Sequence, residues 1–322
     1  MGKIIFMAGQ PGIIKRAVAP FAGLANRFRL GFPGHYLCGN GSRSADLACT
    51  LVFRELRKRG KRGHVMATAH PELFENNPDN GKIVVRSGGR PGWGELGLPL
   101  IPLGALKYDP MRDADELPTQ HIMVTMCRAA GIGGPVELRP YLFLTQKEFA
   151  AGKIAAQQVV MQSTDLAATM PMRNKEWYPD RFQEVCSELR ADVQVIQIGA
   201  ASDPKLEGAT DLRGRTTTRE AAAILANSLV FVGLSGFLMH LARAVDCRSV
   251  IVYGGHEKPS QTGYVANKNL YSGVRCAPCW LRNPCEFDRK CMDQIKPAQV
   301  IAAAAEQIAK FGTLLEIQTE QL

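Results

Sequence analysis

The chain has 322 residues, of which 46% are hydrophobic and 21% are charged, which is the composition of an ordinary globular protein. This length is enough for two domains, and no apolar run is long enough to predict a transmembrane helix. Lys and Arg outnumber Asp and Glu by 39 to 30, and this excess favours a polyanionic partner: nucleic acid, an anionic membrane surface or a phosphorylated substrate.

The N-terminus does not resemble a signal peptide, because Pro11 and Gly12 break its short apolar run and the basic residues follow that run. A cytoplasmic protein is therefore expected, with peripheral contact to the inner membrane left open. Residues 13–30 mix bulky apolar with basic residues, but Pro20 interrupts them, which favours a surface helix over an interfacial one.

In the first half of the chain, helical spacing of apolar residues predicts helices over 46–59 and 121–132. Short strands are predicted at 64–69 and 83–85. Residues 86–120 are rich in Gly and Pro and predict a long irregular segment, of a kind that is often functional.

The second half alternates regularly between predicted strands and helices. The strands are predicted at 157–163, 193–199, 229–236 and 249–255, and the helices at 181–190, 216–228, 237–246 and 297–310. This alternation predicts βαβ units and a parallel sheet. We expect an N-terminal domain over 1–150 and a C-terminal domain over 151–322, with a ligand cleft between them at the carboxyl ends of the strands.

Small and hydroxyl-bearing residues follow the predicted strands of the second half. They include Ser163, Thr164, Ser202, Asp203, Ser235, Gly236, Gly254 and Gly255. Such residues beside helix N-termini suit a phosphate-bearing ligand. The same residue types populate the turns of any α/β protein, so ordinary turn chemistry is the alternative.

Four of the nine cysteines, Cys276, Cys279, Cys285 and Cys291, lie within sixteen residues in a C-x2-C-x5-C-x5-C pattern. Four thiolates can surround one Zn or Fe ion, and two disulfides are the alternative. The others occur singly in hydrophobic or helical contexts, where we expect buried apolar side chains: Cys38, Cys49, Cys127, Cys186 and Cys247. A cluster beside isolated cysteines favours the metal and a reducing compartment.

Three segments resemble family nine glycosyltransferases, the lipopolysaccharide heptosyltransferase group. The C-terminal signature of that family resembles residues 211–255, DLRGRTTTREAAAILANSLVFVGLSGFLMHLARAVDCRSVIVYGG. Its K-x-W-P-x-x-x-F segment resembles residues 174–189, and its N-terminal G-D-x-L motif resembles residues 45–58. The Cys-rich run and the final helix are similar to the variable tail of the family.

The resemblance implies a GT-B fold, in which two Rossmann-like domains face a central cleft. It implies inverting transfer of a sugar, commonly heptose, from an ADP-sugar donor to a saccharide acceptor. Direct displacement of this kind needs a base on the acceptor hydroxyl and positive or dipolar groups on the leaving diphosphate.

The resemblance assigns Asp46 as the base, although a helix N-cap is the alternative reading of this residue. It assigns Lys175 to the donor phosphates, against an ordinary surface lysine, and Asp203 to the ribose, against a turn residue. Met239 and His240 fall on the helix whose N-terminus would face the pyrophosphate, and a satisfied core histidine is the alternative for His240.

Two departures from the family pattern are Ala45, where the family usually has Gly, and Ser235, where it usually has Asp. The second departure leaves donor identity and catalytic competence open. A V-G-L-S-type turn and a Cys-rich iron-binding finger resemble the autotransporter heptosyltransferase subgroup, which makes a protein acceptor an alternative to a lipopolysaccharide-type glycan.

Two functions are therefore expected. The first is a glycosyltransferase with a structural, fully coordinated metal at the four cysteines. The second is a catalytically inactive scaffold or adaptor that binds the metal. No aromatic and basic interleaving supports nucleic-acid binding, and the oligomeric state, homo-oligomer included, stays open.

Overall fold

The computed structural model describes residues 36–38, 41–61, 64–85, 100–102, 106–168 and 170–320. The strands in these ranges are β1 (Tyr36–Cys38), β2 (Val65–Thr68), β3 (Lys82–Val85), β4 (Leu100–Pro102), β5 (Tyr108–Asp109), β6 (Ala114–Asp115), β7 (Gln158–Met161), β8 (Gln194–Gln197), β9 (Thr210–Asp211), β10 (Val230–Leu234), β11 (Ser249–Gly254) and β12 (Lys268–Tyr271). The α-helices are α1 (Arg43–Lys58), α2 (Ile122–Ala129), α3 (Gln146–Ala151), α4 (Pro179–Leu189), α5 (Thr218–Ala226), α6 (Phe237–Ala244), α7 (Pro259–Thr262), α8 (Lys290–Asp293) and α9 (Pro297–Glu320). Short 3-10 helices lie at Pro71–Leu73 and Arg173–Lys175.

The strands form two parallel sheets and one small antiparallel hairpin. The first sheet has the order β3-β2-β1-β4, and the second has the order β12-β11-β10-β7-β8-β9. In the second sheet the chain runs outward from β7 through β8 to β9 and then returns to the other side of β7 to form β10, β11 and β12. The strand order therefore reverses between β7 and β10, and in open α/β sheets such a reversal opens a crevice at the carboxyl ends of the strands.

The second sheet is buried on both faces, and β10 illustrates how its sequence achieves this. Val230, Val232 and Leu234 enter one hydrophobic cluster, while Phe231 enters another on the opposite face. Strand side chains alternate between faces, so a continuous apolar run is what a doubly covered strand requires. Helices α4 and α9 pack on the first of these faces, and α5 and α6 contribute to the second.

One hydrophobic cluster continues from the first half of the chain into the second. It includes Leu47 of α1, Met123 of α2, Phe231 of β10 and Leu241 of α6, all of which are fully buried. Helices α1 and α6 pack directly against each other. The two halves therefore share an apolar contact, and the cleft opens beside it.

The predicted α/β class and the parallel sheet of the second half are confirmed. Its predicted helices and strands are present with ends that differ by a few residues, except that α9 continues ten residues beyond the predicted end at 310. One detail was wrong: Asp46 is not a helix N-cap. Ser42 caps α1 and accepts a hydrogen bond from the backbone of Ala45, so that Asp46 lies in the first helical turn. Helix α3 and strand β12 were not predicted.

The proposed domain limit at residue 150 stays a prediction, and α3, which precedes it, packs against α5 of the second half. The predicted surface helix over 13–30 and most of the irregular segment over 86–120 lie outside the described residues. Among the helices that are described, none is long and apolar enough to cross a membrane.

Arg219 of α5 joins the two halves through a buried set of polar contacts. Its guanidinium binds both carboxylate oxygens of Glu148 and donates to the backbone carbonyls of Glu72 and Phe143, at 2.9 and 2.7 Å. Glu72 belongs to the 3-10 helix that follows β2, so this one side chain ties the first sheet to α5 and to α3.

We expect Arg219→Met to lower the free energy of unfolding by about 2 kcal/mol or more, because two carbonyls and a carboxylate lose a buried charged donor. Urea denaturation followed by circular dichroism measures the change. Arg128→Met, at an exposed position of α2, is the matched control. Equal stability of the two variants would contradict the role assigned to Arg219.

Candidate functional site

A cavity of about 520 Å³ lies where the strand order of the second sheet reverses. It is lined by residues that follow β7, by the residues that open α5 and α6, and by Ser42, Arg43 and Ser44 at the start of α1. Trp280 of the Cys-rich segment, Ile122 of α2 and the residues that follow β8 also contribute to the wall. The cavity thus receives side chains from both halves of the chain, as the predicted cleft required.

Five of the eight residues predicted to hold a donor line this cavity, and three lie behind its wall. The lining residues are Thr164, Lys175, Asp203, Gly236 and His240. The residues behind the wall are Ser163, Ser235 and Met239. Ser163 donates to the carbonyl of Pro204, and the sulfur of Met239 accepts from the hydroxyl of Tyr253, so both of these have structural contacts.

The N-terminus of α6 opens directly on the cavity. Its N-cap is Gly236, and no side chain caps the helix. The Oγ of Ser235 is buried and has no hydrogen-bond partner among the residues that the structure describes. Free backbone N–H groups at a helix N-terminus attract an anion, and the helix dipole adds to that attraction.

The N-terminus of α5 approaches the same cavity through Thr216, Thr217 and Thr218. Thr217 caps this helix in a capping box with Glu220, as the predicted Thr cap required. Two helices therefore begin at one cavity, on the edge of the sheet that the carboxyl ends of the strands form.

Lys175 supplies a positive charge to the cavity and forms an ion pair with Glu257, with 3.1 Å between Nζ and Oε1. The neighbouring Asn174 is buried, and its side-chain amide donates to the carbonyls of Leu281 and Pro284 at 2.8 Å each. The short 3-10 helix that contains Lys175 is therefore attached to the Cys-rich segment by these two hydrogen bonds.

Three carboxyl groups crowd the same wall. Burial, together with the charges of Asp165 and Asp203, raises the pKa of Glu176 to about 7. Burial likewise raises the pKa of Asp165 to about 6 and raises the pKa of Asp203. Glu176 accepts hydrogen bonds from the hydroxyl of Thr164 and the backbone N–H of Asp165, which hold it beside them.

His240 is the one imidazole that lines the cavity among the described residues. Its Nδ1 lies 2.5 Å from the hydroxyl of Tyr264, and burial lowers its pKa to about 3. It is therefore neutral at physiological pH. The second contact of the Tyr264 hydroxyl is the sulfur of Met123 at 3.7 Å, a weak acceptor, so the hydroxyl donates to Nδ1 and leaves the proton on Nε2.

Asp46, the predicted base, is only 1% exposed. Its Oδ2 accepts from the hydroxyl of Thr68 at 2.6 Å and lies 3.0 Å from Nδ1 of His70. Its Oδ1 is buried and has no hydrogen-bond partner within the described part of the chain. The residues of α1 that line the cavity directly are those one turn earlier, at 42–44.

The Cys-rich segment braces both sides of the cleft. Its backbone bonds to Gly255 and His256 after β11, through the N–H groups of Cys279 and Trp280 at 3.1 and 2.9 Å. Arg282 forms an ion pair with Asp115 of the β5–β6 hairpin, and the guanidinium of Arg289 donates to the carbonyl of Glu176 at 3.0 Å.

Cys276, Cys279, Cys285 and Cys291 are free thiols, as are the four buried cysteines at 49, 127, 186 and 247, which were correctly predicted to be buried. The side chain of Cys38 lies outside the described residues. Burial raises the pKa of the Cys279 and Cys291 thiols, and their cysteine neighbours raise it further, so the cluster is close in space.

The predicted metal site is not confirmed. In the part of the chain that the structure describes, no group of three or more His, Cys, Asp or Glu side chains is arranged to hold a metal ion. The donor chemistry nevertheless suits Zn or Fe, because thiolates are preferred ligands of both ions, and a positive ion would offset the repulsion among four thiolates on one loop, which raises the pKa of Cys279 and Cys291.

Several residues of the site were not predicted from the sequence. Asp165 and Glu176 each follow a predicted donor residue directly, at Thr164 and Lys175, and that adjacency was the available signal. His70 and Tyr264 lay in segments with no motif, so no sequence signal identified them.

Residues 135–290 match the family described as Glycosyltransferase family 9 (heptosyltransferase), which confirms the resemblance. No curated protein is significantly similar to the sequence.

Three solved structures share the fold, each with a TM-score of 0.64 and each over 86% of this chain. One is a family 9 glycosyl transferase from Veillonella parvula, with 12% identity over 97% of that chain. Another is the E. coli ADP-heptose lps heptosyltransferase II, with 14% identity over 99% of that chain. The third is TibC from enterotoxigenic E. coli, an iron-containing dodecameric glycosyltransferase, with 16% identity over 78% of that chain. The fold is that of GT-B heptosyltransferases, as predicted.

We expect Glu176→Gln to stabilise the protein increasingly as pH rises from about 4.5 to 7. In the wild type the raised pKa of Glu176 means that stability is complete below the unfolded value, near 4.5, and is lost as pH rises through the folded value, near 7. The lost stability approaches about 3 kcal/mol for a shift of this size.

Chemical denaturation at pH 5 and pH 8 measures this dependence. The difference in unfolding free energy between variant and wild type should be larger at pH 8. Glu184→Gln, at an exposed position of α4, is the control and should show no such trend. A difference that is constant with pH would refute the assignment.

Proposed function

We propose, on the premise that residues 135–290 belong to glycosyltransferase family 9, that the protein transfers heptose or a related sugar from ADP-heptose to an acceptor hydroxyl. The observation that carries the proposal is the meeting of two helix N-termini and Lys175 at one cavity. A diphosphate is the anion that such a site suits best. TibC has been crystallised with ADP-D-beta-D-heptose, which supports the choice of donor.

Each residue at the cavity has a separate role in the proposed reaction. The uncapped N-terminus of α6 and the ammonium of Lys175 stabilise the negative charge on the leaving diphosphate. Neutral His240 donates a hydrogen bond from Nε2, and Tyr264 fixes that orientation. Asp203 accepts from the ribose hydroxyls. The acceptor hydroxyl attacks from the side of the first sheet, where Asp46 lies, in a single inverting displacement.

The acceptor is a lipopolysaccharide-type glycan, with a protein acceptor as the second candidate. The net charge of +9 suits a phosphorylated glycan at an anionic membrane surface. The eight cysteines whose side chains the structure describes are free, which is consistent with a reducing compartment, so we place the reaction in the cytoplasm.

A Zn or Fe ion at Cys276, Cys279, Cys285 and Cys291 would have a structural role. Four protein ligands leave no open position for a substrate. The contacts of this segment with Asn174 and Glu176 would then transmit its rigidity to the wall that carries Lys175.

We expect Lys175→Met to weaken ADP binding by about 10- to 100-fold, because the diphosphate loses its ammonium partner and meets the unpaired carboxylate of Glu257. Isothermal titration calorimetry measures the affinity. Lys205→Met removes an equally large cation from an exposed position and is the control. If a folded wild-type protein bound neither ADP nor any ADP-sugar, the donor assignment would fall.

An assay of ADP release by the wild-type protein distinguishes the enzyme from the inactive scaffold. Release of ADP from ADP-D-beta-D-heptose is the enzyme's signature, and tight ADP binding without any release would favour the scaffold. Ser235, where the family resemblance predicts Asp, and the Cys-rich segment are the features that keep this second candidate open.

The wild type should bind about one metal ion per chain. We expect Cys276→Ser to bind less than this and to melt at a temperature about 4 °C lower or more. ADP affinity should fall only a few-fold, since the ion acts through Asn174. Elemental analysis of protein purified without added metal measures the first effect. Cys186→Ala, which changes a buried cysteine outside the cluster, should keep its metal. Unchanged metal content in Cys276→Ser would contradict the proposal that the four cysteines bind the metal ion.

A further inference from the structure

The charge of the cavity has the wrong sign for a diphosphate. Among the described residues that line it, two side chains are basic and five are acidic: Arg43 and Lys175 against Asp115, Asp165, Glu176, Asp203 and Glu257. Lys175 already forms an ion pair with Glu257. A diphosphate brings further negative charge, and like charges at short range oppose its binding. The cavity therefore needs a means of lowering its own negative charge when a diphosphate enters.

Asp165 lies against the N-terminus of α6, where the diphosphate is expected. A Cβ built on the N-cap residue, Gly236, would lie 2.5 Å from Oδ2 of Asp165. The neighbouring Ser235 is 1% exposed, and within the described residues its Oγ has no hydrogen-bond partner. The backbone N–H groups that begin a helix attract an anion. The carboxylate of Asp165 therefore competes with a phosphate for the same place.

The fold fixes Asp165 in this position. Its backbone N–H donates to Oε1 of Glu176 at 2.9 Å, and Nε2 of Gln162 donates to its Oδ1 at 3.3 Å. No hydrogen bond within the described part of the chain engages Oδ2, the oxygen beside Gly236. A proton on Oδ2 can therefore be donated to a ligand at α6 without loss of a contact within the protein.

Ionisation of Asp165 is opposed by its surroundings. Burial, with the charge of Asp203, raises the pKa of this carboxyl to about 6 against the lowering effects of Lys175 and Gln162. The other ionisable groups among the described residues of the cavity are those named above and His240, which burial keeps neutral. A phosphate beside Asp165 raises its pKa further, because a second negative charge disfavours the ionised form.

We propose that Asp165 is a specificity-determining residue of the diphosphate site: its carboxylate excludes a phosphate from the N-terminus of α6, and its protonated form donates a hydrogen bond from Oδ2 to a phosphate oxygen. Hydrogen bonds from an O–H group to an anionic oxygen are among the stronger ones in proteins. This inference rests on the proposed binding of an ADP-sugar and adds a residue to that site. Binding of the diphosphate then consumes a proton.

The proton determines how the affinity depends on pH. Below the pKa of Asp165 in the free protein, about 6, the carboxyl is protonated and the affinity for ADP is complete. As pH rises above this value the affinity falls, by up to about tenfold per pH unit, until the pKa of Asp165 in the complex is reached. Asn at this position keeps a hydrogen-bond donor beside α6 and carries no charge at any pH, so it removes this dependence.

Calorimetric titration with ADP, in EDTA to exclude divalent cations, tests the proposal at pH 5.5 and pH 8. We expect Asp165→Asn to bind ADP about tenfold or more tightly than the wild type at pH 8, and within about threefold of it at pH 5.5. The terminal phosphate of ADP also ionises in this range, but it does so for both proteins, so their ratio isolates Asp165. Asp192→Asn, at an exposed position after α4, is the matched control and should follow the wild type.

Proton uptake provides a second measurement. At pH 7 the observed binding enthalpy, compared between buffers of different ionisation enthalpy, gives the number of protons taken up per ADP. We expect the wild type to take up about half a proton more than Asp165→Asn. A purely structural role of Asp165 would leave the two numbers equal and would overturn the proposal.

Failure of this inference is distinguishable from failure of the donor assignment. Wild-type protein that binds ADP at pH 8 as tightly as Asp165→Asn does, or that requires Mg²⁺ to bind it, would overturn the role of Asp165 and leave the donor assignment intact. If neither protein bound ADP or inorganic pyrophosphate at either pH, both would fall together. Binding of pyrophosphate at pH 8 by Asp165→Asn alone would support the exclusion of phosphate by Asp165. If Asp165→Asn fails to fold, as seen by circular dichroism, Asp165→Ser replaces it with the same expectations.

Discussion

Strands β7 and β10 are neighbours in one parallel sheet, yet the helices that follow them pack on opposite faces: α4 on one and α6 on the other. Neither helix can cover the gap that this divergence leaves at the carboxyl edge. The gap is where Thr164, Asp165 and Gly236 come together, and it is where the cavity lies. The remaining features of the site, including the helix N-termini and the bracing by the Cys-rich segment, depend on this reversal of strand order.

Charged groups of both signs lie at this gap, and most of them are buried. Lys175 forms an ion pair with Glu257, and Asp165, Glu176 and Asp203 crowd the same wall with pKa values raised by burial. An anion that enters must compete with these carboxylates for the helix N-termini and for Lys175. Protonation of the carboxylates removes part of that competition, so the electrostatics couple anion binding to proton uptake near neutral pH.

The second half of the fold could be predicted because short stretches of its sequence determine its strands and helices. Apolar runs such as Val230–Leu234 in β10, with helical spacing between them, determine strand and helix without knowledge of distant contacts. Lys175 and His240 were found because a motif surrounds them. The partners that define their chemistry, Glu257 and Tyr264, are brought to them by the fold from segments without a motif.

The first half shows more clearly what a sequence pattern cannot predict. The helical spacing over 46–59 predicted α1, but the cap that begins the helix is Ser42, and a shift of one turn changes what Asp46 can touch. Whether a carboxylate faces the cleft or lies behind it is decided by Thr68 and His70 at the end of another strand. A motif match gives the residue, and only the packing gives its role.

The same reasoning resolves the departure at Ser235, where the family resemblance predicts Asp. A Cβ added to the next residue, Gly236, would lie 2.5 Å from Oδ2 of Asp165, so a carboxylate already stands against the turn that opens α6. It comes from the end of β7 rather than from the turn itself. A second carboxylate at position 235 would add negative charge beside Asp165 and Glu176, where burial already opposes ionisation. In this chain the carboxylate that stands against the turn is therefore Asp165, and a neutral hydroxyl occupies position 235.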